Sequence, residues 1–205
     1  MADQAVESIV AAATSLFAGR GADSVSLLEV AKRAKVSAGL IIYHFKSKNN
    51  LLFIVSRTIL SKIHKASVEA MRSAGTPLQA MHAFIDVFCT FVSMNRDEAF
   101  FLAKFDPFLR LDLARFPEAE LVVLKDQILG LLAEHLRDGI ASKQFNPVPI
   151  DAFCLVVWSA LLGICHGHNQ HVDAFMLMNE IKDMITYRLT CLPGGTCRDV
   201  SGQNI

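Results

Sequence analysis

Tyr43, His44, Lys46 and Lys48 place a phenol, an imidazole and two ammonium groups within six residues of one another. Donors of these types hydrogen-bond to phosphate oxygens and fix the register of a protein on a nucleic-acid backbone. Just ahead, Ser37, Ala38 and Gly39 carry no bulky side chain, so their backbone can approach a partner closely. The chemistry these residues fit is recognition of a phosphate-bearing polymer.

Rival chemistry is weaker. Cys165, His166, His168 and His171 are metal-ligand types within seven residues, but they lack a zinc-binding spacing and fall in a predicted loop, where solvated histidines are expected. No glycine-rich phosphate loop, nucleophile elbow or paired-carboxylate constellation stands out. The chain is therefore expected to be no enzyme and to need no cofactor. Its five cysteines (Cys89, Cys154, Cys165, Cys191 and Cys197) are odd in number and scattered, and reduced thiols are expected.

The elements that position the candidate residues must be helices. At 205 residues and 52% hydrophobic, the chain can bury a sizeable core. Apolar residues recur at helical spacing almost throughout, and the expected fold class is all-α with about nine helices. The longest apolar run, 152–165, is shorter than the roughly 20 residues that span a bilayer. With Asp3, Gln4 and Glu7 where a signal peptide would be basic and then apolar, a cytoplasmic chain with no membrane partner is expected. Net charge is zero, yet residues 1–60 hold seven Lys/Arg against four Asp/Glu, an asymmetry that suits an anionic partner at that end.

A first helix is predicted over 4–18, with Val6, Ile9, Val10, Ala13, Leu16 and Phe17 on one face. A second opens at a capping box of Ser26 and Glu29 and turns Leu27, Val30, Ala31 and Ala34 inward. A third starts at Ser37 and ends near His44, too short to stand alone unless it docks. A long fourth helix starts near Ser47 and carries Leu52, Val55, Ile59, Ile63, Ala66 and Ala70 on a stripe. Thr76, Pro77 and Gln79 open a fifth. Further helices are predicted near 98–105, from Pro117, over 151–165 and over 173–189.

Two helices joined by a tight turn, the second short and displayed, can set a reading helix in the major groove of DNA. An αα-hairpin within a core is the plain alternative. The stretch "LFAGRGADSVSLLEVAKRAKVSAGLIIYHFKSKNNLL", with Leu16-Phe17, Gly21, the Ser26 cap, Val36-Ser37, Gly39, Phe45, Lys48 and Leu51-Leu52 in order, resembles the DNA-binding domain of the TetR family of bacterial transcription regulators. The resemblance covers residues 9–52 and beyond them is architectural. It implies a helix-turn-helix domain over 1–48, a ligand-binding and dimerisation domain over 49–191 and a tail, 192–205, expected to be disordered. It also implies a DNA-contacting set of Ser26, Lys35, Ser37, Ala38, Gly39, Tyr43, His44, Lys46 and Lys48. Two departures stand out: Lys35 replaces the usual turn glycine, at a position that would want positive φ, and Ile42 replaces a phosphate-contacting tyrosine.

Eight of the 14 phenylalanines lie between residues 84 and 116. The resemblance makes them candidates to line a pocket for a small apolar or aromatic ligand, with Phe84, Phe88, Phe91, Phe101, Phe105 and Phe108 as the expected lining. His82, His135, Arg96, Lys104 and Arg110 are the candidate polar anchors. The predicted helix over 151–165 is apolar on two faces and must bury both. The family's homodimer, built from the last two helices, would use Trp158, Leu161, Cys165, Leu177, Ile181 and Met184. Together these features point to a repressor that binds a pseudo-palindromic, double-stranded operator as a dimer and is released by its ligand. Two alternatives stay open: an architectural or division-control DNA-binding protein without inducer, and a helical lipid or haem carrier using His82 or His135.

Overall fold

A computed structural model of the chain describes residues 2–116, 120–166 and 173–191. Its α-helices are α1 (Ala2–Arg20), α2 (Leu27–Ala34), α3 (Ala38–Phe45), α4 (Lys48–Arg72), α5 (Pro77–Met94), α6 (Arg96–Lys104), α7 (Pro107–Arg110), α8 (Glu120–Ala141), α9 (Ile150–His166) and α10 (Ala174–Thr190), with 3-10 turns at Ala22–Ser24 and Leu113–Arg115. The all-helical expectation holds. The helix beyond the expected nine is α7, where Pro107 starts a turn as well as ending the segment before it. Asp106 caps that turn by accepting from the Phe108 N–H at 2.8 Å, and the proline ring already holds a helical φ. The expected start at Pro117, the His168 and His171 loop and the tail over 192–205 lie outside the described residues.

Two compact units form: residues 1–62 with 91–124, and residues 63–90 with 125–205. In the first, α1 packs on α6 and on α2, and α2 on α3. Phe17 of α1 meets Phe101 of α6 with ring centroids 6.2 Å apart, and Phe101 meets Phe105 at 5.4 Å. Lys104 of α6 donates to the carbonyl oxygens of Ala18 and Gly19 at 2.5 and 3.0 Å, so a cation meets the negative end of α1.

In the second unit, α9 packs on α10. Phe84 and Phe88 of α5 lie 5.4 Å apart, and Trp158 of α9 stands edge-on to Phe88 at 5.7 Å. Gly139 is buried against Phe145, where a Cβ would fall 2.1 Å from a ring carbon. Although α5 is long and apolar enough to cross a bilayer by composition, its Ala80, Met81, Phe84, Ile85 and Phe88 are fully buried in protein.

The stripe on α4 drifts from the expected one. Leu52, Val55, Ile59 and Ile63 are buried, but the buried positions then become Ser67 and Met71, while Ala66 is exposed. The expected positions average the 3.6 residues of a helical turn, whereas the buried row advances by four from Val55 to Met71, so the covered face drifts around this 25-residue helix. Cys154 and Cys165 are free thiols as expected, whereas Cys191 is disulfide-bonded. Burial pushes the Cys154 and Cys165 thiols up to about 11, so both are inert at neutral pH.

Candidate nucleic-acid interface

Local chemistry fixes α2 first. The Glu29 N–H donates to Ser26 Oγ at 3.2 Å, and Glu29 Oε2 accepts the Ser26 N–H at 2.8 Å, closing the expected capping box. Arg20 donates to the other carboxylate oxygen at 2.5 Å. The Ser26 amide, and after it Arg20, hold the Glu29 carboxyl down at about 2. Val25, just before the cap, and Val30 are both buried.

The turn after α2 closes on Lys35, whose φ of 57° and ψ of 40° are left-handed. This is the backbone the family resemblance implies at that position, adopted by a residue with a Cβ. Ser37 then caps α3, accepting from the Leu40 N–H at 3.2 Å. Ile41 and Phe45 point inward, 0% and 4% exposed, and hold the short helix down. The opposite face is open: Gly39, Ile42, Tyr43 and Lys46 are all exposed.

The expected contact residues lie along this one short segment. Ser26, Lys35, Ser37, Gly39, Tyr43 and Lys46 are exposed, and Ala38, His44 and Lys48 are half-buried. Lys46 sits 5.4 Å from the centre of the Tyr43 ring, and His44 stands edge-on to the same ring at 5.1 Å. Lys46, the residue after α3, also has positive φ, 64°. Lys48 donates to the Asp23 carbonyl oxygen at 3.3 Å. Arg110 pairs with the Asp23 carboxylate at 2.6 Å and holds that carboxyl below its usual range. The arrangement offers an outward surface of cations, hydroxyl groups and small residues, able to hold phosphates and to press a helix against base edges.

The two other candidate sets are distributed differently. Phe84 and Phe88 belong to the second unit, while Phe91, Phe101, Phe105 and Phe108 belong to the first. All but the half-buried Phe108 are core residues, 6% exposed or less. Of the candidate polar anchors, Lys104 caps α1 and Arg110 binds Asp23. His82 shares a hydrogen bond with Thr186 at 2.8 Å, and burial lowers its pKa. That bond engages the nitrogen a haem iron would need.

Trp158, Leu161 and Cys165 are buried within their own unit, at 5%, 0% and 4% exposure. Leu177 and Ile181 are half-buried, and Met184 is exposed. The open apolar surface of α9 and α10 is instead a groove of about 380 Å³ whose lining includes Phe153, Val156, Ala160, Ile181 and Met184. Sequence reasoning missed Val156, 68% exposed, because periodicity shows that a face is apolar but not whether anything covers it.

Comparison with known proteins places this geometry. Residues 9–54 match the profile of the bacterial regulatory proteins of the tetR family. The chain is 26% identical over 178 residues to the HTH-type transcriptional regulator HbdR of Aromatoleum sp. (strain CIB), across 85% of this chain and 75% of that one. Its fold is similar to the crystal structure of FadR from Bacillus subtilis in complex with stearoyl-CoA, with a TM-score of 0.73 and 17% identity over 87% of this chain and 96% of that one. It is also similar to AibR in complex with isovaleryl coenzyme A and operator DNA, with a TM-score of 0.73 and 14% identity over 88% and 97%. The capped α2, the left-handed turn and the open face of α3 all fall inside the matched segment, so residues 9–54 form a DNA-binding domain of the TetR family of bacterial transcription regulators.

Proposed function

We propose that the protein is a cytoplasmic, ligand-responsive repressor and not an enzyme. Residues 1–48 form its DNA-reading head, and 49–191 form its ligand-binding and dimerisation part. A homodimer presents two copies of α3 to the half-sites of a pseudo-palindromic operator. The observation that carries the reading is the outward face of α3, where Gly39, Tyr43 and Lys46 are displayed while Ile41 and Phe45 anchor the helix from behind. Val156, Ile181 and Met184 form the subunit interface, because this apolar groove would otherwise stay wet.

The ligand is a small molecule with an apolar tail, and an acyl thioester is the leading class. Two proteins of similar fold, FadR and AibR, carry such ligands in their solved structures. Phe84 and Phe88, core residues of the second unit, supply apolar walls if the packing opens around a tail. To release DNA the ligand must favour a conformation whose heads are misplaced, since equal affinity for both states shifts nothing. The test combines sites selected from random DNA with a series of acyl-CoA thioesters of increasing chain length. One chain length should raise the melting temperature and weaken operator affinity, and the operator should weaken ligand affinity by the same factor. Tight operator binding that no member of the series disturbs would defeat the acyl-ligand reading and leave an inducer-free regulator.

A further inference from the structure

Gly39 and Ile42 are one helical turn apart on the open face of α3, and neither is explained by the protein's interior. Gly39 has an ordinary helical backbone, and a Cβ built on it would meet only Ser37 Oγ, at 4.0 Å. Inside a helix glycine is less favourable than alanine. Its missing side chain thus serves something outside the chain, and close backbone approach is what it permits. Ile42 is 56% exposed on the same face, while the neighbouring Ile41 is fully buried.

An exposed isoleucine on an ordinary surface is unremarkable in energy. On a helix that presses into the major groove its side chain loses water against base edges. Those edges present donors, acceptors and a single kind of apolar group, the C5 methyl of thymine. Isoleucine can satisfy no donor or acceptor, so placed over the cytosine amino group or the guanine acceptors it would strip water and return nothing. Over a thymine methyl both partners gain. We infer that Ile42 is a base-reading residue that selects thymine through its methyl group, once in each half-site. The inference rests on the operator-binding reading above.

The experiment uses the full-length dimer and its DNA sites selected from a random pool. Each thymine of the selected site is replaced in turn by deoxyuridine, which removes only the methyl, and affinities are measured for wild type, Ile42→Val and Ile42→Ala. At one symmetric position, losing both methyls should weaken wild type about fourfold per half-site, the worth of one buried carbon. The same replacement should cost Ile42→Val less and leave Ile42→Ala unaffected, with unchanged melting temperatures because residue 42 lies on the surface. Wild type that tolerates uracil everywhere, or an equal uracil penalty in wild type and Ile42→Ala, overturns the assignment. A protein that selects no DNA sequence fails earlier, at the regulatory reading itself.

Discussion

The Lys48 ammonium donates to the backbone carbonyl oxygen of Asp23 at 3.3 Å, while the Asp23 carboxylate is taken by Arg110. Lys48 is thereby aimed by a neutral oxygen and keeps its charge for another partner. Lys48→Ala should weaken binding to specific and random DNA by similar factors and lower the slope of log K against log salt by about one, as expected for one lost phosphate contact. Titrations of both DNAs at several salt concentrations read this out, and an unchanged slope removes Lys48 from the interface.

Lys35 holds a left-handed backbone, which costs a residue with a Cβ roughly 1 kcal/mol and costs glycine nothing. Lys35→Gly should raise the unfolding free energy by about that much, seen as a higher denaturant midpoint at unchanged m-value, and at the same time weaken DNA binding. Gain in one measurement with loss in the other identifies a residue kept for its charge. A midpoint that stays put or falls shows that the turn is not strained.

The Glu29 carboxyl is held at about 2, against an ordinary value of 4.5, by the Ser26 amide and then Arg20. A depressed folded value means that the stabilisation is complete above the ordinary value and disappears as pH falls through about 2. Wild type should therefore lose its advantage over Glu29→Gln between pH 4.5 and 2. Urea midpoints across that window are the measurement, and parallel curves for the two proteins would contradict the capping geometry.

Charges placed in the α9–α10 groove and on the buried face of α9 should separate assembly from folding. Val156→Glu and Met184→Glu fall on the open groove and should give folded monomers, visible as a sedimenting mass of 22.5 kDa in place of twice that value. Trp158→Glu buries an unpaired charge against Phe88 and should destabilise the subunit by several kcal/mol. Folded dimers from Val156→Glu would move the interface elsewhere.

The reading head was legible because its signals are local. Ser26 with Glu29 and Ser37 at the start of α3 each involve groups a few positions apart, and both are realised, while the positive φ at Lys35 was implied by the family resemblance. The rest depended on contacts distant in sequence. Trp158 and Val156 both lie on apolar faces of α9, and only the packing of Phe88 against the first decides which is core. Arg110 looked like a ligand anchor until the fold brought it to Asp23, 87 residues earlier in the chain.

The seating of α1 on α6 has a consequence for protein engineering. Phe17 rests on Phe101, and the last carbonyls of α1 rest on Lys104, so the head is completed by a segment that follows it after two long helices. A fragment cut at residue 48, or even at 62, would lose that cover and leave an eight-residue α3 on an unsupported base. Grafting this head onto another protein would therefore require two separate pieces of chain, and a chimera joined only at the end of α3 would carry the recognition residues without the platform that presents them.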